Sequence, residues 1–302
     1  MLCDAHVHFI PPEISAHSKF YKGIWSDKGR LFDFLEQYNI DKAILVYPTA
    51  DAYLKLKNHR EICQIYNGAL ERIFRENTRI VAAGIVDISA SEDLSRQAED
   101  LYSRGFQGIS LASSYEGEFL IDTLLPIFEV AEEHNMFLFV HPQVVNPIGF
   151  ERIKDPLLMP VLEYSFDISM FLGLLMVKGI LQRCKSRFIF SSLGGVIPFL
   201  KDRLDRVYAM LRKREMVEDL GEKPSSILKN VYVDTSGSPL KNIEIAIELF
   251  GEDNILWGSD YPVMGDIEQN LKMLDSLGGK SKEKITAKNL LKLLNINEVP
   301  QQ

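Results

Sequence analysis

The stretch "DTLLPIFEVAEEHNMFLFVHP", residues 122–142, changes its hydrophobic period once. Up to Asn135 the apolar residues recur at helical spacing. From Met136 to Val140 they run unbroken, as in a strand buried on both faces, and a histidine and a proline close the run. A helix feeding a buried strand is the repeating step of a parallel α/β fold, and the same step recurs on either side. Upstream, "LFDFLEQYN" precedes "KAILVY", "EICQIYNGALERIFREN" precedes "RIVAAGIVD", and "EDLSRQAEDLYSRG" precedes "FQGISLA". Downstream, a helix around "DISMFLGLLMVKGILQRC" precedes "RFIFS", and the long helix "IPFLKDRLDRVYAMLRKREMVEDL" precedes "VYVDT". The helix "KNIEIAIELFG" ends at Gly251 before the strand "NILWG", and a short apolar strand from Leu2 to Val7 opens the series. About eight such units in a chain of this size predict a (β/α)8 TIM barrel, with residues 1–302 as one domain.

One segment breaks the rhythm. "PQVVNPIGFERIKDPLLMPVLEYSFD", residues 142–167, is long, proline-punctuated and aromatic, and it follows the fifth strand. At that end of a barrel strand it would cover the active-site face, so a lid is expected there, the alternative being an ordinary surface excursion.

Side chains at the C-terminal ends of barrel strands converge on one axis. The first strand ends in "DAHVHF", residues 4–9, whose His6 and His8 are two apart and therefore share a face. His141 follows the fifth strand and Asp260 follows the eighth in "LWGSDYP". Taken singly, His141 would cap a strand and Asp260 would bond turn amides. Together, three imidazoles and a carboxylate suit one divalent metal ion, with zinc expected and room for a bound water. His59 and His134 lie in helical stretches and read as surface residues, and His17 lies in the first loop.

Composition narrows the function classes. Of 302 residues, 46% are hydrophobic and 25% charged, the balance of a soluble globular protein, and the net charge of −8 argues against a nucleic-acid surface. Cys3, Cys63 and Cys184 have no paired spacing, which fits a reducing cytoplasm. No secretory signal is legible at the start. The most apolar run, "ISMFLGLLMVKGIL", is short for a bilayer span and carries Lys178, so no membrane partner is expected.

With these residues in view, the sequence resembles the amidohydrolase superfamily, in the branch that includes aminocarboxymuconate-semialdehyde decarboxylase and other nonoxidative decarboxylases. The resemblance spans nearly the whole chain. It rests on "DAHVHF", on "FQGISLA" before "LLPIFEVAEEHNMFLFVHP", on "GILQRCKSRFIFSSLGGVIPFLKDRLDR" and on "NILWGSDYP". It implies a distorted barrel of the metal-dependent hydrolase type with one divalent ion, usually zinc, on His6, His8, His141 and Asp260. No lysine in "FQGISLASSYEG" matches the bridging residue of binuclear relatives, which favours a mononuclear site.

The pattern departs from the family after the sixth strand. Where relatives read His-Leu-Gly-Gly, this chain reads "SSLGG", with Ser192 in place of the expected general base. A serine hydroxyl does not replace an imidazole in that role without a base beside it. Three readings follow. The first is a hydrolase using a metal-bound water on a small, carboxylated substrate, with Asp260 taking the proton and Ser192 as a second catalytic candidate. The second is a nonoxidative decarboxylase of a small unsaturated or aromatic acid, and the third a degenerate metal-binding barrel. Arg152 and Lys154 in the lid are candidate substrate-carboxylate ligands, although solvated loop charges would look the same. His17, Tyr47, Asp51 and Glu163 lie on candidate loops without an assigned role. The apolar "MFLGLLMV" helix fits either the barrel wall or a homodimer interface.

Overall fold

The computed structural model describes residues 1–49, 58–149, 151–263 and 266–296. Asp51 lies outside them. Eight strands run in chain order around one sheet: β1 (Cys3–His8), β2 (Lys42–Val46), β3 (Ile80–Gly84), β4 (Gly108–Ala112), β5 (Phe137–His141), β6 (Arg187–Phe190), β7 (Tyr232–Asp234) and β8 (Ile255–Leu256). All neighbouring pairs are parallel. The last gap is bridged by the backbone after β8, where Ala5 N–H donates to Trp257 O and His8 N–H to Tyr261 O, each at 2.8 Å. The expected TIM barrel is what the chain forms.

Strand alternation divides the apolar residues into two layers. Ile44, Val46, Val81, Ala83, Phe137, Phe139 and Ile189 fill the barrel interior together with Cys3 and Ala5. Their neighbours Ala43, Leu45, Leu138, Val140 and Phe190 face outward and pack under the helices. β1 changes parity midway. Cys3 and Ala5 point inward, whereas Val7 belongs to the outer layer, and the register against β2 shifts between Asp4 and Val7. Such a shift re-aims the following side chains. Here it turns His6 and His8 toward the axis.

Two helices differ from their sequence expectations. The helix expected near Ile168 starts earlier, with a π-type turn over Met159–Glu163 that continues as the α-helix Tyr164–Val177. Pro160 sits in its first turn, where no backbone donor is needed, so the proline opens the helix instead of blocking it. Met159–Val177 is thus 19 residues long and, by length and composition alone, long and apolar enough to cross a membrane. Ile168, Phe171, Leu172 and Leu175 on it are buried against the barrel. The helix after β6 runs over Lys201–Lys213 and stops before the left-handed Glu215, short of the expected stretch to Leu220.

Candidate metal centre

His6 and His8 end β1 and His141 ends β5, and all three are buried. Each ring is held from behind. His6 Nδ1 lies 2.8 Å from Asp234 Oδ2, His8 Nδ1 3.0 Å from the Val46 carbonyl, and His141 Nδ1 2.9 Å from the Pro142 carbonyl. A carbonyl oxygen only accepts, so His8 and His141 carry their hydrogens on Nδ1, and the Asp234 carboxylate asks the same of His6. That leaves the Nε2 lone pairs on the other side of each ring. Those of His6 and His8 are 3.1 Å apart, and one nitrogen of each of the three histidines lies within 4.8 Å of the others.

Two imidazole nitrogens this close need a cation, or a shared proton, between them. Ligands at zinc–nitrogen bonding distance in a tetrahedral site are about 3.3 Å apart, close to the observed spacing. Burial and the neighbouring imidazoles push His141 well below the ordinary histidine range, and burial also lowers His8, so both rings are neutral as a metal ligand must be. For His6, burial works in the same direction, but the carboxylates of Asp234, Asp260 and Asp4 together outweigh it and lift the group to about 9. Asp234 mirrors this: burial raises it, and the His6 ring with the Ser236 donors brings it below the ordinary range. The cluster therefore draws positive charge to itself. The residues fit a divalent cation.

Asp260 reaches the same point from the loop after β8. Its Oδ1 lies 3.2 Å from His8 Nε2 and 3.6 Å from His6 Nε2, its side chain is 22% exposed, and its backbone is left-handed with φ of 58°. The Asp260 N–H donates to the His6 carbonyl at 2.9 Å, which pins the turn to β1. Asp4, beneath, accepts the N–H of His6 at 3.0 Å and that of Ser259 at 2.9 Å, and burial pushes it up to about 7.

Above the cluster opens a cavity of about 490 Å³. Phe20, Tyr21 and Trp25 from the loop after β1 form one wall, and Trp25 stacks on His8 with ring centres 5.8 Å apart. Met159, Pro160 and Tyr164 form another. Asp260 is the lone carboxyl among the described lining residues, and no lysine or arginine lines the cavity there. Ser192 does line it, with φ of 49°, and its N–H donates to Asp234 Oδ1 at 2.9 Å.

The other sequence candidates lie elsewhere. Arg152 is 70% exposed and its guanidinium is 3.4 Å from the buried Glu163, while Lys154 pairs with Glu151 at 3.3 Å. Neither lines the cavity. His17 is exposed, His134 pairs with Glu99 and stacks on Tyr102, and Tyr47 and His59 line a separate pocket of about 40 Å³. Two positions that order the site went unread in the sequence. Asp234, ending "VYVDT", carried a legible signal as a carboxylate at the end of a barrel strand. Asp167 did not: buried in the helix after the 142–158 segment, it accepts from Ser113 Oγ, from Ser114 Oγ at 2.8 Å and from Ile148 N at 2.8 Å.

Comparison with known proteins agrees with this architecture. A 2-amino-3-carboxymuconate-6-semialdehyde decarboxylase of Dictyostelium discoideum is 22% identical over 293 residues, covering 92% of this chain and 80% of that protein. The 5-carboxyvanillate decarboxylase of Sphingomonas paucimobilis superposes with a TM-score of 0.84 at 17% identity, covering 98% of this chain and 99% of the other. Its counterpart from Novosphingobium aromaticivorans, complexed with manganese and 4-hydroxy-3-methoxy-5-nitrobenzoic acid, gives 0.83 at 22% identity, with 98% and 96% covered. The family model described as amidohydrolase matches residues 3–277. By that match, which runs from β1 past β8, the chain belongs to the amidohydrolase family.

Proposed function

We propose that the protein is a nonoxidative decarboxylase of a small carboxylated aromatic or unsaturated acid, in preference to the hydrolase that the metal-binding motif first suggests. The observation that carries this reading is the cavity's inventory: three ring-locked imidazoles, one carboxyl group at Asp260, aromatic walls, and serine where a base would stand. Hydrolysis needs a base to take a proton from water and an acid to give one to the leaving group. Decarboxylation needs one proton delivered to one carbon. The similarity to decarboxylases of carboxylated acids points the same way.

His6, His8 and His141 would hold the ion, with Asp260 Oδ1 facing them. When bound, a divalent ion supplies Lewis-acid polarisation of substrate oxygens, zinc being the choice of the imidazole set and manganese the ion in a structural neighbour. The chain does the rest. Trp25, Phe20 and Tyr164 sandwich a flat substrate and keep water from its carboxylate, an environment that favours loss of a charged group as neutral CO2. When the C–C bond breaks, its electron pair stays on the substrate carbon. Asp260 is placed to pass a proton taken from solvent at the cavity mouth to that carbon.

The test uses protein loaded with manganese or zinc and a panel of hydroxylated benzoic acids and unsaturated dicarboxylic acids in D2O. CO2 release with one deuterium at the carbon that lost the carboxyl is expected. Asp260→Asn lowers the rate by about 100-fold or more with the metal retained. Ring opening of lactones or amides without CO2 release would return the hydrolase reading to first place.

A further inference from the structure

Polar groups that line the cavity are mostly spoken for. Tyr164 Oη donates to the Val144 carbonyl at 2.7 Å, and Ser165 Oγ donates to the Val161 carbonyl at 3.1 Å. Ser192 is different. Among the described residues its hydroxyl finds only Ser236 Oγ at 3.4 Å, beyond the ordinary range for an O–H···O hydrogen bond. Ser236 meanwhile commits its own hydrogen to Asp234 Oδ1 at 2.5 Å, so it offers Ser192 an acceptor at long reach and nothing more.

The backbone presents this hydroxyl at some cost. Ser192, Leu193, Gly194 and Gly195 have φ values of 49°, 57°, 69° and 72°, positive values that disfavour the two non-glycine residues. The turn is fixed at three points. Ser192 N–H is bound to Asp234, Gly194 O accepts from Ser169 Oγ at 3.2 Å, and a Cβ on Gly195 would come within 2.2 Å of the Ser165 carbonyl. A side chain held on a strained, anchored turn, exposed to the cavity and short of a partner, is arranged to meet a ligand.

We propose that Ser192 determines substrate specificity: its hydroxyl hydrogen-bonds a hydroxyl or amino substituent of the carboxylated substrate, and the serine in place of a bulkier imidazole makes room for it. The role is one of recognition, since the group touches the substrate away from the carbon that gains the proton. The inference rests on the decarboxylase reading for its substrate class, yet its test does not need turnover.

Binding of benzoate and of 2-, 3- and 4-hydroxybenzoate to manganese-loaded protein would be measured by calorimetry, for wild type and for Ser192→Ala and Ser192→Thr. At least one hydroxybenzoate is expected to bind wild type roughly three- to tenfold tighter than benzoate, the worth of one net hydrogen bond. In Ser192→Ala that preference disappears through weaker binding of the hydroxybenzoate, and Ser192→Thr, which keeps the hydroxyl, restores part of it. Equal affinities for all four acids in wild type, or a preference unchanged in Ser192→Ala, would overturn the inference. Discrimination by Ser192 without CO2 release from any acid would uphold it and sink the decarboxylase; CO2 release with no effect of Ser192 on the preference would do the reverse.

Discussion

Asp234 is the residue on which most of the centre's order depends. It accepts from His6 Nδ1, from the N–H of Ser192 and from both the N–H and the hydroxyl of Ser236. One carboxylate therefore fixes the tautomer of a proposed metal ligand and the position of the strained turn. Asp234→Asn keeps the shape but weakens the acceptor facing His6, and removing such a partner typically costs 10–100-fold in metal affinity. A competitive titration with a chromophoric chelator should show a loss of about that size, with far-UV circular dichroism unchanged. The sequence made His6 and His8 legible because their relation is local: two residues apart at a strand end. Asp234 offered only a carboxylate at a strand end, because its partner lies 228 positions away. Its local pattern, a carboxylate followed by Thr235 and Ser236, reads equally well as a turn.

At the scale of elements, one buried side chain gathers several contacts between the segment after β5 and the barrel. Asp167, at the front of the helix Tyr164–Val177, gathers the hydroxyls of Ser113 and Ser114 after β4 and the backbone of Gln143 and Ile148. Asp167→Ala takes the acceptor from the buried hydroxyls of Ser113 and Ser114 and should cost about 2–4 kcal/mol. Limited proteolysis is expected to cut first within 142–158, and substrate KM is expected to rise more than kcat falls. The helix itself shows where sequence patterning stops. Its core half, from Ile168 onward, declares itself by apolar density. The first two turns do not, because Pro160 and Glu163 look like loop residues; Pro160 stays exposed, and Glu163 is buried beside Arg152 only once the chain has folded. β7 and β8, three and two residues long, were legible nonetheless, since a strand buried on both faces needs few residues to be recognised as apolar.

Across the whole molecule, the three imidazoles join opposite sides of the barrel, β1 and β5, at one point. An ion that binds there and not to the unfolded chain stabilises the entire fold, by about 2.7 kcal/mol at a hundred times its dissociation constant. Thermal melts with and without added zinc or manganese should separate by several degrees, and His141→Ala should abolish the separation. The rhythm of eight apolar strands made this architecture legible, because a closed parallel barrel repeats one local solution around an axis. The closure between β8 and β1 was not legible: it depends on backbone hydrogen bonds from Ala5 and His8 to residues some 250 positions away, which no local pattern announces.

That closure also orders events in time. During synthesis His6 and His8 emerge well ahead of His141, the orienting Asp234 follows much later, and the Asp260 turn comes later still. A nascent chain stalled before β7 holds all three imidazoles yet lacks the carboxylate that aims the first of them. On the proposed metal reading, tight capture of the ion awaits the last quarter of this sequence, and a loaded centre marks a barrel that has closed.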